Sequence, residues 1–181
     1  ATKAVQDRLK TTKIEESKGA SLVFCWDTHL TKIKGRNVLF IVNASNRYTI
    51  AMTDIEPRNW NYYTMYIRSV IHGVMQEMEY SEEQIGQYFK MSGDTTVTKT
   101  HGRKSVGGIN RMVMDAQYFG KKLEKEAKYQ WELSEYLNRE ICQPEGFDTY
   151  GYPSELFKLD MERLGIISKR KPAKIIDFTK Y

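Results

Sequence analysis

Alternating apolar and polar positions predict three consecutive strands in the first third of the chain. Residues 22–26 and 48–53 alternate between the two classes, as strands do when one face is buried. Residues 37–43 are almost continuously apolar, which is typical of a central strand covered on both faces. Short turns at residues 34–36 and 44–47 separate these segments. The pattern therefore favours a three-stranded antiparallel meander.

An amphipathic helix is predicted directly after the meander. From Pro57 onwards, apolar residues recur at spacings of three and four up to Met78, which is the period of a helix with one buried face. Ser81 and Gln84 then have the spacing of a capping box, which marks the start of a short second helix that Gly93 ends.

Three further helices are predicted in the second half of the chain. The apolar spacing predicts helices over about 104–118 and about 120–139, and Pro153 is typical of the first turn of a last helix. Residues 95–100 are polar and β-prone, which makes them a candidate edge strand. The residues expected to be buried are Val106, Ile109, Val113 and Ala116 in the first of these helices, Leu123, Ala127, Trp131 and Leu137 in the second, and Leu156, Leu159 and Leu164 in the last.

These elements predict an α+β fold, in which a three- to four-stranded antiparallel meander sheet packs against four to five helices. Residues 1–19 are charged and weakly patterned, so we expect an N-terminal arm or a short helix. Residues 20–167 are expected to form a single domain. Residues 168–181 combine basic and apolar positions and are expected to form a basic C-terminal extension.

Composition narrows the class of protein further. The chain has 181 residues, of which 40% are hydrophobic, and its three Trp, seven Phe and twelve Tyr argue against disorder. No apolar run approaches the ~18 residues of a membrane span, and the start lacks the apolar stretch of a signal peptide. Cys25 and Cys142 have no metal-binding spacing, so we expect free thiols in a cytoplasmic protein without a metal or cofactor.

The net charge of +5 is compatible with an anionic partner, and the basic, glycine-containing turn at residues 98–116 is the candidate binding site for it. Cations just before a helix can hold an anion that the free N–H groups of the helix also favour, and glycines allow close approach. The alternative is that these cations are merely solvated and that Arg111 pairs with Asp115. The candidate binding residues in this turn are Lys99, His101, Arg103, Lys104 and Arg111.

Histidines provide the main candidates for catalysis. Arg68 and His72 lie one turn apart on the polar face of the first long helix, where an imidazole beside a cation could transfer a proton. His29, at the end of the first predicted strand, could complete a ribonuclease site with His72 or His101, although the spacing alone gives no geometry for it. The carboxylates are too scattered for a two-metal nuclease. The sequence therefore favours binding over catalysis.

A set of short motifs follows in a fixed order along the chain. They are Thr12-Lys13, Trp26, His29-Leu30, Val38-Leu39-Phe40-Ile41-Val42-Asn43, Arg47-Tyr48, Ile67-Arg68-Ser69-Val70, Lys99-Thr100-His101-Gly102-Arg103, Asn110-Arg111, Leu137-Asn138 and Gly151-Tyr152-Pro153. In this order they resemble a family of small, uncharacterised proteins of Gram-positive bacteria, their plasmids and their phages. The resemblance covers most of residues 10–165.

Length, basic character and this mobile-element association also make the chain similar to anti-CRISPR proteins that act on type II-A Cas9. Some of those proteins provoke truncation of the single guide RNA. The resemblance implies a protein of the bacterial cytoplasm whose partners are Cas9 and its single guide RNA, with basic residues on the RNA backbone. Candidate contacts besides the basic turn are Arg68 and the tail residues Lys169, Arg170 and Lys171.

Two other functions compete with Cas9 inhibition. One is a metal-independent ribonuclease that uses His29, His72 or His101. The other is a non-enzymatic regulatory protein of a mobile element, with an acidic protein partner and no RNA.

Overall fold

The computed structural model describes residues 1–10, 14, 16 and 19–168 of the chain, and its sheet confirms the predicted meander. Three antiparallel strands pair in the order β1-β2-β3, so that β2 is central. The strands are β1 (Trp26–Ile33), β2 (Arg36–Asn43) and β3 (Thr49–Thr53).

Helices surround this sheet and complete the α+β fold that the sequence predicts. In the described part of the chain there are seven, two of them short. They are α1 (Lys3–Leu9), α2 (Pro57–Asn61), α3 (Tyr63–Glu77), α4 (Glu82–Ser92), α5 (Arg103–Tyr118), α6 (Trp131–Asn138) and α7 (Pro153–Arg163).

A capping box begins α4, and the packing of α1 on β1 positions the N-terminal residues. The capping box at the start of α4 is confirmed, because Ser81 Oγ accepts from the Gln84 N–H and Gln84 Oε1 accepts from the Ser81 N–H. The N-terminal residues include α1, which packs on β1 and buries Val5 completely.

The first strand is shorter at its start than the alternation predicts. Residues 22–24 form a 3-10 turn, and β1 begins only at Trp26. The Val23 carbonyl accepts hydrogen bonds from the Tyr88 hydroxyl (2.8 Å) and from the Asn43 amide (2.9 Å). Because these two side chains donate hydrogen bonds to the Val23 carbonyl, that carbonyl does not need a partner in a neighbouring strand.

The helix predicted over residues 120–139 is wrong except for α6. Residues 128–130 run extended along β3, where the Lys128 carbonyl accepts from the Thr53 N–H (2.8 Å) and the Gln130 N–H donates to the Ala51 carbonyl (2.9 Å). The need to pair the edge of β3 outweighs the helical spacing of the apolar residues.

Smaller differences concern the predicted edge strand, the first long helix and some buried positions. Residues 95–100 form no strand. The helix predicted after Pro57 is divided at Tyr62, whose φ of −115° and ψ of 43° are not helical. Of the residues expected in the core, Val106, Trp131 and Leu159 are exposed in the structure, and Val113, Ala127 and Leu164 are only partly buried.

The sheet carries a hydrophobic core on each face, which explains the apolar run in β2. Leu39 and Ile41 pack on one face with residues of α3, α4 and α7. Phe40 and Val42 pack on the other face with residues of α5 and α6. Among the described residues, no helix has the length and apolarity to cross a bilayer.

The outer edge of β3 is closed by side chains and by backbone instead of a fourth strand. The Asn138 amide accepts from the Thr49 N–H and donates to the Thr49 carbonyl, both at 2.8 Å. Ser134 Oγ accepts from the Ala51 N–H at 3.0 Å. Two residues of α6 thereby satisfy alternate backbone groups of β3.

We expect Asn138→Ala to lower the free energy of unfolding by about 2–4 kcal/mol, because it leaves two buried backbone groups of Thr49 unpaired. Urea denaturation measures the change. The control is Arg139→Ala, which removes an exposed ion pair with Glu135 and should cost less than about 1 kcal/mol. Equal losses in the two variants would contradict this role of Asn138.

Candidate functional site

The basic turn leads directly into α5. Gly102 precedes the helix with a φ of 98°, a conformation that glycine adopts readily and other residues rarely do. The first turn of α5 contains no acidic residue, while its first two residues are Arg103 and Lys104. The N-terminal end of α5 is therefore electropositive through both its side chains and its backbone.

A buried ion pair fixes this turn to the sheet. His101 Nδ1 lies 3.0 Å from Asp27 Oδ1, and the side chains of the two residues are only 10% and 1% exposed. The Ser105 hydroxyl donates to the other oxygen of Asp27. Asp27 of β1 thus binds both His101, just before α5, and Ser105, in the first turn of α5.

The pair sets the protonation of His101. The hydrogen bond with Asp27, and next a hydrogen bond with Cys25, outweigh burial and raise the pKa of His101 to about 10. Burial, the largest effect on Asp27, would raise its pKa, but the hydrogen bonds from His101 and Ser105 and the imidazolium charge together lower it. His101 therefore keeps its proton at neutral pH and is a poor general base.

The remaining cations of the turn differ in how far they are neutralised. Arg111 pairs with Asp115 at 3.1 Å, as the solvated alternative predicts. Lys99 lies 3.7 Å from Glu16, with both side chains largely exposed. In the described part of the chain, no carboxylate pairs with the exposed Arg103 or Lys104. These two are the cations most available to an anionic partner.

The three histidines have separate hydrogen-bond partners. His29 Nδ1 lies 3.2 Å from Thr2 Oγ1, and burial lowers the pKa of His29. His72, on α3, lies 3.1 Å from Glu82 Oε2. With His101 paired to Asp27, each imidazole has a different partner on a different element.

Arg68 has a structural role. Its guanidinium donates to the carbonyls of Phe89 and Gly93, at 3.4 and 3.2 Å, and lies 4.2 Å from the centre of the Phe89 ring. These contacts satisfy carbonyls at the C-terminal end of α4. Lys169, Arg170 and Lys171 lie outside the described residues.

Arg47, in the turn between β2 and β3, is not among the binding residues that the sequence predicts. Its half-buried guanidinium packs on Gly108 of α5, so closely that a Cβ atom there would lie 2.3 Å from Nη2. The glycine pair at residues 107–108 within an amphipathic helix indicates close packing there, because glycine is otherwise unfavourable in a helix, but it does not indicate which residue packs on it.

Within the residues that the structure describes, no three side chains of His, Cys, Asp or Glu are grouped so as to hold a metal ion.

Comparison with known proteins identifies a family without a known function. Residues 1–156 match the family model described as "Domain of unknown function (DUF6933)". Because this match covers most of the chain, the protein belongs to that family. No curated protein and no solved structure matches the chain.

We expect Asp27→Asn to lower the pKa of His101 from about 10, because the variant lacks both the carboxylate charge and the hydrogen bond that raise this pKa most. NMR titration of the His101 ring protons measures the change. In the unaltered protein, the stability that protonation of His101 contributes is full below about pH 6.5 and is lost as pH rises through about 10. The variant should lose that pH dependence.

Ser105→Ala is the control for this titration, because it removes a hydrogen bond to Asp27 and leaves the ion pair in place. Its His101 should keep a raised pKa. A pKa near 10 in Asp27→Asn would show that a group other than Asp27 holds the proton.

Proposed function

We propose that this DUF6933 protein inhibits type II-A Cas9 by binding its guide RNA complex, which leads to truncation of the guide RNA and loss of DNA cleavage. The observation that carries the proposal is the pair of exposed cations at the N-terminal end of α5, Arg103 and Lys104, for which the described residues supply no carboxylate partner. The resemblance of the ordered motifs to proteins of mobile elements supplies the biological context, the cytoplasm of a bacterial host.

The surface at the start of α5 suits an RNA backbone. Phosphates attract lysine and arginine without regard to sequence, and a helix N-terminus adds backbone N–H donors. The ion pair of His101 with Asp27 has no net charge, so Arg103 and Lys104 supply the positive charge of this helix end. The acidic residues of α5 are limited to Asp115, which faces Arg111 near the other end.

Binding without catalysis is the form of the proposal that the geometry supports. Acid–base cleavage of RNA needs a group that accepts a proton near pH 7 and a second group beside it. His101 is already protonated, and His29 and His72 have separate partners on other elements. In this proposal the protein makes the guide RNA accessible to cleavage by another component.

The first test mixes the protein, Cas9 and guide RNA and omits each component in turn, with the RNA examined on a denaturing gel and target DNA cleavage measured in parallel. The expected result is a guide that is shortened only when Cas9 and this protein are both present, and a loss of Cas9's DNA cleavage when this protein is added. Shortening without Cas9 would instead indicate a ribonuclease. An intact guide with full DNA cleavage would overturn the proposal.

The second test neutralises the cations of α5 in the triple variant Arg103→Gln, Lys104→Gln and Arg111→Gln. We expect weaker binding to the complex and a salt dependence of log K whose slope is smaller by about 1.4, since Arg103 and Lys104 are the available cations and each phosphate contact to single-stranded RNA contributes about 0.7. Inhibition of Cas9 should be lost in parallel.

The matched control removes the same charge elsewhere, at Lys122, Lys125 and Lys158, which are exposed residues outside the basic turn. Inhibition should persist in this control. Unchanged inhibition in the triple variant of α5 would remove this surface from the mechanism, and the absence of any RNA binding at low salt would favour an acidic protein partner.

A further inference from the structure

Arg47 is a half-buried cation for which the structure shows no carboxylate partner among the described residues. Its described side-chain partner is the thiol of Cys142, a weak hydrogen-bond acceptor. A guanidinium has five N–H donors, and a charge withdrawn from water is costly unless it is paired. An anionic ligand would supply the missing partner.

The turn that carries Arg47 is rigid. The buried Asn43 side chain accepts from the N–H groups of Ser45 and Asn46, and Asn46 Oδ1 accepts from the Tyr48 N–H. Arg47 itself has a φ of 64°, which is unfavourable for a residue with a side chain. The surrounding hydrogen bonds hold it there, so the guanidinium is positioned before any ligand arrives.

Helix α5 supplies the rest of a cationic row. Lys104, Gly108 and Arg111 follow each other at spacings of four and three and therefore share one face of the helix. Arg47 occupies the gap at Gly108, where a Cβ atom would lie 2.8 Å from Nε. The row Lys104, Arg47 and Arg111 thus extends along about 10 Å of the helix.

A cleft opens beside this row, with a volume of about 440 Å³, between α5 and the segment that follows α6. Arg47, Arg111 and Thr49 line it, together with Tyr150, whose side chain is 69% exposed. The acids that line it are Asp115, which pairs with Arg111, and Glu140, which is exposed. Arg47 is therefore the cation in the cleft that is left for a ligand.

We infer that this cleft binds a phosphate group of single-stranded RNA, with Arg47 as its central contact and Tyr150 as a platform on which the adjacent base stacks. The inference rests on the proposed RNA-binding function and specifies a second contact region for it. A guanidinium forms strong charge-assisted hydrogen bonds with phosphate oxygens, and an exposed aromatic ring accepts any base.

The glycine pair of α5 provides a matched test. Gly108→Ala should displace the guanidinium of Arg47 while the fold is kept, because the clashing atoms belong to the far end of a flexible side chain. Gly107→Ala meets nothing within 4 Å and should leave Arg47 in place. Both substitutions introduce the same methyl group into neighbouring positions of one helix.

The probe is a short fluorescein-labelled oligouridine, and fluorescence anisotropy at low salt measures its dissociation constant. We expect Gly108→Ala and Arg47→Gln each to weaken binding by about 10- to 100-fold, the loss typical of a hydrogen bond to a charged group. Tyr150→Ala should weaken it by at least about fivefold. Gly107→Ala should bind normally, and Glu140→Gln should bind more tightly because it removes a negative charge.

The outcomes separate this inference from the proposed function. Normal oligouridine binding by Gly108→Ala and Arg47→Gln, with binding lost in the triple variant of α5, overturns the cleft and leaves the proposed function standing. Loss of binding in the cleft variants, with thermal unfolding unchanged and no effect of the protein on Cas9, supports the cleft and overturns Cas9 inhibition. No binding of oligouridine by the unaltered protein overturns the cleft as an RNA site.

Discussion

The small sheet depends on finding partners for the backbone groups at its outer edge. Three strands leave one side of β3 without a neighbouring strand, and unpaired buried N–H and C=O groups cost about 1–3 kcal/mol each. Asn138, Ser134 and the extended residues 128–130 supply these partners. This requirement fixes α6 beside β3, and the segment after α6 then forms one wall of the cleft.

The turn from β2 to β3 connects this sheet to the basic surface. Asn46 donates to Asp160 of α7 at 2.9 Å, and Asn43 donates to the Val23 carbonyl, so buried hydrogen bonds from three parts of the chain converge on the turn. Such a fully satisfied network can hold a residue in an unfavourable conformation. Arg47 has that conformation, and α5 packs over it at Gly108.

Local chemistry predicted most of the fold, and the failures occurred where tertiary pairing decides the structure. The capping box of Ser81 and the apolar run of β2 act over a few residues, so the sequence was sufficient for both. The apolar spacing within residues 120–139 was compatible with a helix, but the edge of β3 requires residues 128–130 in an extended form. The cluster of Asp27 and His101 spans 74 positions of the sequence, and no local pattern contains it.

The candidate site shows the same division between local and long-range information. Arg103 and Lys104 could be found from the sequence because they stand together in one turn. Arg47 could not, because its position beside Lys104 and Arg111 arises only when the β2–β3 turn packs on α5 at Gly108. A cationic row built from two elements is intact only in the folded domain. Its anion binding should therefore depend on the packing of α5 against the sheet, which charge and sequence composition alone do not specify.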